Sequence, residues 1–320
     1  MRRLLFALAW LVALHGPATA QSDLAGRPVV TVTLLGTGAP PPLPDRFGPA
    51  TLVQAGGQAL LFDAGRGATI RLRQLNLPGS AVTATFLTHL HSDHVVGLPD
   101  LWLTGWLRGP HGGRSTAYRL IGPDGTVELA AGLEAAFAAD VRYRIAGGLP
   151  PEGGRIAAEA FDSDGIVYDV DGLRVTAFRV DHGPWVDAAY GYRIDYRGRS
   201  VVISGDARPS DSVIRHGRGV DLLIHEVVYA RPGSEQSAAA VLDTHTQPRE
   251  AGRIFAATRP GMAAYFHFAL PALDGAPPPP ASDVLAPTRE VYDGPLTLGE
   301  DLMAFHIMAD GTVEVARAKA

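Results

Sequence analysis

Short apolar runs broken by glycine, proline and aspartate recur along this chain, the pattern of strands and short helices joined by tight turns. Val30–Leu35 is β-branched and apolar and ends in Gly36-Thr37-Gly38, so it reads as a strand entering a turn. A proline-rich loop carrying Asp45-Arg46-Phe47-Gly48 follows. Thr51–Gln54 and Ala59–Phe62 then form a predicted hairpin around Gly56-Gly57. Asp63-Ala64-Gly65 opens a predicted helix running through Leu75, and Val82–Thr88 is the next strand. Val95–Leu107, rich in Leu and Trp, and Thr126–Ala139 read as helices, with a turn at Gly122-Pro123-Asp124-Gly125 between them.

The second half repeats the mixture. Leu173–Val180, Tyr190–Tyr196, Ser200–Ser204 and Leu222–Ile224 are strand-like, Gln247–Thr258 is a helix, and Ala263–Phe266 is a strand. Pro271–Pro287 reads as a surface loop or lid, and Leu302–Ile307 and Val313–Val315 close the chain as strands. There is no internal repeat at solenoid spacing. Two runs of strands, each with its own helices, predict an α/β fold: a four-layer αββα sandwich.

Composition narrows the picture. Arg2-Arg3, the apolar run Leu4–Leu14 and Ala18-Thr19-Ala20 before Gln21 have the order of a signal peptide. The run is short for a membrane span and ends in Gly16-Pro17, so residues 1–20 are expected to be cleaved, leaving residues 21–320 as a single domain with no stable membrane anchor. The expected location is periplasmic or secreted. Losing Arg2 and Arg3 moves the formal charge from −5 to −7, which argues against a polyanionic partner. There are no cysteines, hence no disulfides and no thiolate ligands.

The candidate chemistry is concentrated at residues 89–94. His89, His91, Asp93 and His94 follow an apolar strand, and imidazole with carboxylate suits a borderline divalent cation such as zinc. Left unpartnered in a core, such groups are costly. One ion needs three or four protein ligands, so further ligands elsewhere imply two ions. Four other strand ends carry suitable residues: His182, Asp206, His225-Glu226 and His267.

With these residues in view, the chain resembles the metallo-β-lactamase superfamily across nearly all of residues 29–317. It is most similar to the ribonuclease Z-like branch through Leu35-Gly-Thr-Gly38, Phe62-Asp-Ala-Gly65, Thr88-His-Leu-His-Ser-Asp-His94, Ser204-Gly-Asp206, Leu223-Ile-His-Glu226 and Phe266-His267. Asp45-Arg-Phe-Gly-Pro49 and His94-Val-Val-Gly-Leu-Pro-Asp-Leu101 also resemble exported arylsulfatase-type members. The resemblance implies one metal on His89, His91 and His182, a second on Asp93, His94 and His267, and Asp206 bridging them. It implies His245 as proton donor, Glu226 as the residue orienting it, and Asp63 as support for the ligand loop. Thr246 stands where that branch usually has serine.

Paired divalent ions can generate hydroxide near neutral pH by lowering the pKa of water from near 16 to about 7. A histidine opposite can protonate the leaving group. The expectation is therefore a hydrolase with two divalent ions, zinc first and manganese or iron as alternatives, acting on small anionic esters. Aryl sulfates lead. A ribonuclease Z-like phosphodiesterase, a lactam or lactone hydrolase, and a non-enzymatic metal-binding module are the alternatives. A small-molecule ester partner, no nucleic acid and an optional homo-oligomer complete the expectation.

The remaining signals are ambiguous singly. Arg46 reads equally as an anion-binding fork and as a solvated loop cation. Trp102 and Trp106 read as helix-face core rather than an aryl pocket. His111, His216 and His306 lack metal spacing, and His225 either buttresses the site or simply precedes Glu226. Gly36 and Gly38 read as backbone geometry rather than phosphate binding.

Overall fold

The computed structural model describes residues 26–273 and 275–317. The expected signal peptide at residues 1–20 lies outside them. The chain begins in one sheet with strands β1 (Val30–Gly36), β2 (Ala50–Ala55), β3 (Gln58–Phe62), β4 (Ala84–Phe86), β5 (Tyr118–Pro123) and β6 (Ile156–Phe161). It then crosses to a second sheet of β7 (Gly165–Val170), β8 (Leu173–Val180), β9 (Ala189–Tyr196), β10 (Arg199–Ile203), β11 (Leu222–Val228), β12 (Met262–Ala269) and β13 (Leu296–Leu298). It returns to the first sheet through β14 (Met303–Ile307) and β15 (Val313–Arg317).

The strand orders are β15-β14-β1-β2-β3-β4-β5-β6 and β13-β12-β11-β10-β9-β8-β7. Each sheet is antiparallel on one side and parallel on the other: β3 to β6 run parallel, as do β10 to β13. Parallel strands need crossovers, and helices supply most of them. Over the first sheet these are α1 (Ala68–Gln74), α2 (Ser92–Val95), α3 (Leu98–Trp106), α4 (Thr126–Ala136) and α5 (Ala138–Ala146). The second half adds α6 (Asp211–Gly217), α7 (Ala239–Leu242), α8 (Pro248–Thr258) and α9 (Leu285–Arg289).

Strand alternation sorts side chains into layers. Val32, Phe62, Phe86, Tyr192, Ile203, Ile224 and Phe305 meet between the sheets. Leu61, Leu101, Trp102 and Leu120 fill the space under the first group of helices, and Val202, Leu223, Ile254 and Phe255 the space under the second. The result is the αββα sandwich. Helix α8 shows how local sequence builds it. Gln247 and Glu250 form a reciprocal capping box with Pro248 in the first turn, and the helix then buries Ala251, Ile254 and Phe255. Each of the last two contributes roughly 1.5–3 kcal/mol by burial.

Differences from the sequence-based elements are local. Gly97 separates α2 from α3, and Phe137 separates α4 from α5. Residues 271–287 are not loop throughout, because a helical turn at Ala281–Val284 and the start of α9 lie within them. Among the described residues no helix is long and apolar enough to cross a membrane.

Candidate metal centre

Strands of both sheets deliver the functional side chains to one edge of the sandwich. β4 stops at Phe86, and Leu87-Thr88 leads into His89, His91 and the first turn of α2, which holds Asp93 and His94. Close approach explains the glycines nearby. A Cβ on Gly65 would collide with the Gly48–Pro49 backbone and come within 2.6 Å of the Asp93 carbonyl oxygen, and a Cβ on Gly36 would collide with the Gly48 carbonyl. From the second sheet come His182 after β8, Asp206 after β10, Glu226 within β11 and His267 within β12.

His267 occupies an irregularity in the sheet. Glu226 pairs with Phe266 and Val227 with Phe268, so His267 is the extra residue of a bulge, and its φ is 42°. A bulge re-aims a side chain, and left-handed backbone is strained for a residue other than glycine. The gain is direction: His267 Nε2 lies 3.3 Å from Asp93 Oδ2 and 3.2 Å from Asp206 Oδ2.

The donor atoms fall into two overlapping groups. His89 Nε2 is 2.9 Å from His91 Nδ1, and His182 Nε2 is 3.3 Å from the same atom. His94 Nε2 lies 3.5 Å from Asp93 Oδ2. Asp206 Oδ2 stands between the groups, 3.9 Å from His89, 3.8 Å from His182 and 3.3 Å from His94. All of these residues except His91 are buried.

The outer nitrogens fix which atoms face inward. His94 Nδ1 donates to Asp63 Oδ2 at 2.8 Å, and His182 Nδ1 donates to the Thr244 carbonyl at 2.9 Å. Thr88 Oγ1 gives its proton to Asp63 and so accepts from His89 Nδ1 at 3.0 Å. Asp63, itself at φ 59°, also accepts from the Thr88 amide at 2.8 Å. The inner nitrogens of His89, His94 and His182 therefore present lone pairs. His94 Nε2 faces two carboxylate oxygens and, with Asp206 Oδ1, is buried without a hydrogen-bond partner among the described residues. Converging lone pairs and anions repel unless a cation lies among them, so the donor set fits two divalent ions sharing Asp206.

The electrostatics agree at His89, His91 and His182. Burial holds His91 and His182 below the ordinary imidazole pKa, and burial with the neighbouring His94 lowers His89 well below it. Burial alone would raise Asp206, but His267 and His94 overcome it and hold the acid well below the carboxylate range. Burial likewise disfavours charged His94, yet Asp206 and Asp63 raise it well above 6.5. Neutral His89, His91 and His182 beside ionised Asp206 match the protonation state that metal binding requires, whereas His94 must give up the proton that Asp206 and Asp63 favour when a cation takes its place.

Beside the donors sits a second pair. His245 Nδ1 is 3.3 Å from Glu226 Oε2, and the other oxygen of Glu226 accepts from the Thr246 amide at 2.7 Å. Burial lowers the pKa of His245, but Glu226 outweighs it and pushes the value to about 9. The His245 ring lies 4.9 Å from that of His182 and 5.5 Å from that of His267.

All nine expected site residues thus converge. Several partners were not legible: Thr88, the Thr244 carbonyl, and Arg208, which ties Asp243 and Asp181 and so links the loops carrying His245 and His182. Thr88 was detectable in principle, as the last residue before His89. A polar pocket of about 640 Å³ beside His91 also went unforeseen, with Arg179 and the 76 % exposed Trp185 on its wall. Arg46 is half-buried rather than freely solvated. It donates to Thr37 Oγ1 at 2.6 Å and to the Gly299 carbonyl at 3.0 Å, and stacks over Phe268. Trp102 and Trp106 are buried core. His225 packs edge-on against Phe255, on the side of its strand away from the donors.

A sequence model of the beta-lactamase superfamily domain matches residues 58–268. The protein belongs to the metallo-β-lactamase superfamily. Ribonuclease Z of Mycobacterium marinum is 35% identical over 247 residues, covering 75% of this chain and 86% of that protein. Ribonuclease Z of Mycobacterium sp. (strain KMS) is 32% identical over 282 residues, covering 86% and 95%. Two solved structures share the fold, each covering 86% of this chain and 98% of the other. They are the metallo-beta-lactamase fold protein YhfI from Bacillus subtilis (TM-score 0.67, 20% identity) and the short form of human tRNase Z (TM-score 0.63, 23% identity). This superfamily member is a metal-dependent hydrolase.

One expectation is overturned. A small-molecule ester partner with no nucleic acid conflicts with relatives that are ribonucleases Z. Net charge averages the whole surface, whereas binding a phosphodiester depends on the local field of one cleft.

Proposed function

We propose that this superfamily member is a phosphodiesterase of the ribonuclease Z type, with an RNA phosphodiester as substrate. The observation that carries the reading is the buried His245–Glu226 pair beside the donor cluster. A lactam or lactone places less demand on an acid, whereas a ribose oxygen leaves poorly without a proton. Zinc is the proposed metal. One ion would sit on His89, His91 and His182, the other on Asp93, His94 and His267, with Asp206 shared. When bound, the pair supplies Lewis acidity and a nucleophile from water at neutral pH.

The chain's own residues do the rest. Asp63 and Thr88 hold His94 and His89 in the required tautomers. Glu226 keeps His245 protonated, and His245 gives that proton to the departing oxygen. The aryl sulfate expectation yields to this reading, because the ribonuclease Z relatives support phosphorus and no residue of the site reads sulfur over phosphorus. The test loads the protein with zinc and compares a short RNA, p-nitrophenyl sulfate and a cephalosporin. RNA cleavage that stops on chelation is expected; preferential sulfate or lactam turnover would refute the reading.

Export to the periplasm is proposed on the composition of residues 1–20. Protein from the periplasmic fraction should begin at Gln21; an intact Met1 start confined to the cytoplasm would refute it.

A further inference from the structure

The two proline-rich loops that the sequence singles out face each other across a pocket of about 500 Å³, within the range of ligand-binding cavities. Pro41 and Leu43 come from the loop after β1, Phe268 and Pro271 from the end of β12 and beyond, and Val241 from α7. His245 forms part of the wall. Among the described residues it is the only one of the lining that titrates, and no Asp, Glu, Lys or Arg joins it. The pocket beside His91 is its opposite in character, with Asp124, Arg179 and Asp187 in its lining.

This asymmetry has a chemical consequence, which rests on the phosphodiesterase reading. In hydrolysis, the oxygen of water forms a new bond to phosphorus. The bond from phosphorus to the departing oxygen breaks, and its electron pair stays on that oxygen. His245 gives the departing oxygen its proton, and the proton released by water restores His245. The group carried on the departing oxygen must therefore lie on the His245 side, at the apolar pocket. A phosphate pressed into that pocket would lose its hydration against proline, leucine and phenylalanine, with His245 at one edge as the single charged group of the described lining. A nucleobase is flat, uncharged and apolar on both faces. Prolines fix the walls in advance, which lowers the ordering cost of binding.

We propose that the pocket bounded by Pro41, Leu43, Phe268 and Pro271 receives the base of the nucleoside that departs as an alcohol, while the fragment that keeps the phosphate extends toward Arg179 and Trp185. The site then reads the base on one side of the scissile bond far more strongly than on the other.

Three dinucleoside monophosphates test this with the zinc-loaded protein: one with both bases, one abasic on the 5′ side and one abasic on the 3′ side. Chromatography of the products shows which nucleoside leaves as the alcohol. Stacking and burial of a base change affinity by about tenfold or more. Removing the departing base should raise KM about tenfold with kcat within about twofold, and removing the other base should change KM less than about threefold. In a direct binding assay, fluorescent 2-aminopurine riboside should bind the wild type and bind Leu43→Asp or Val241→Asp at least about tenfold more weakly. Circular dichroism and metal content confirm that each variant is folded and loaded. Equal KM penalties for the two abasic substrates, or undiminished riboside binding by both folded variants, would overturn the pocket assignment while leaving the phosphodiesterase reading standing. Failure to cleave the full dinucleotide or a longer RNA would overturn that reading and this inference together.

Discussion

Replacing Glu226 with glutamine keeps the size of a fully buried side chain and removes its charge. Its oxygen can still accept from the Thr246 amide, so the loop stays anchored. What changes is His245. Burial pulls its pKa down, and Glu226 raises it to about 9 against a reference of 6.5. Without the anion, burial prevails and the value should fall to 6.5 or below. The loss of about 2.5 pH units corresponds to roughly 3 kcal/mol of support for the imidazolium. The sign for stability follows from the folded-state value lying above the unfolded one. The pair stabilises the fold fully below pH 6.5, and that contribution is lost as pH rises through about 9. The stability gap between wild type and Glu226→Gln should therefore be widest near pH 6 and narrow by pH 10. Proton NMR titration of the chelator-stripped protein, with His245→Gln to assign the resonance, reads the pKa directly. On the zinc-loaded enzyme, the variant should lose about 10²-fold or more in kcat on RNA and little on bis-p-nitrophenyl phosphate, whose leaving group needs no acid. A His245 pKa within half a unit of wild type, or equal losses on both substrates, refutes the assignment of Glu226 as the residue that keeps His245 charged.

Asp206→Ala removes the oxygen shared by both donor groups, so elemental analysis should find the metal content falling from two ions to at most one, with activity abolished; two retained ions would exclude the bridging role. Asp63→Asn should weaken metal binding about 10- to 100-fold in a chelator competition, because His94 Nδ1 loses its anionic acceptor; unchanged affinity would show that this support is dispensable. Arg114→Leu leaves the carbonyls of Trp102 and Gly153 without the guanidinium that donates to them at 2.7 and 2.9 Å, and should lower stability by about 2–4 kcal/mol in urea; a loss under about 1 kcal/mol would contradict that accounting.

The ligand residues were legible because their signal is local: His89 to His94 sit in one turn, and His182 and Asp206 follow strands whose apolar runs are plain. Other elements were hidden for physical reasons. Gly122-Pro123 reads as a turn, yet it ends β5, where a proline at the strand terminus is tolerated. β6 is alanine-rich with several exposed positions, and α5 buries no residue, so neither carries an amphipathic stripe. The bulge at His267 depends on register with a neighbouring strand, which no run of letters encodes. The apolar pocket joins Pro41 to Pro271, residues far apart in sequence that become neighbours only once the sheets stack.

Each donor group draws on both sheets: His89 and His91 meet His182, and Asp93 and His94 meet His267. A cation held there is a rivet through the seam of the sandwich, and its binding free energy adds to that of assembly. Scarcity of metal in the surroundings would then act first on how much intact protein survives heat or proteolysis, and only secondarily on how fast the survivors turn over.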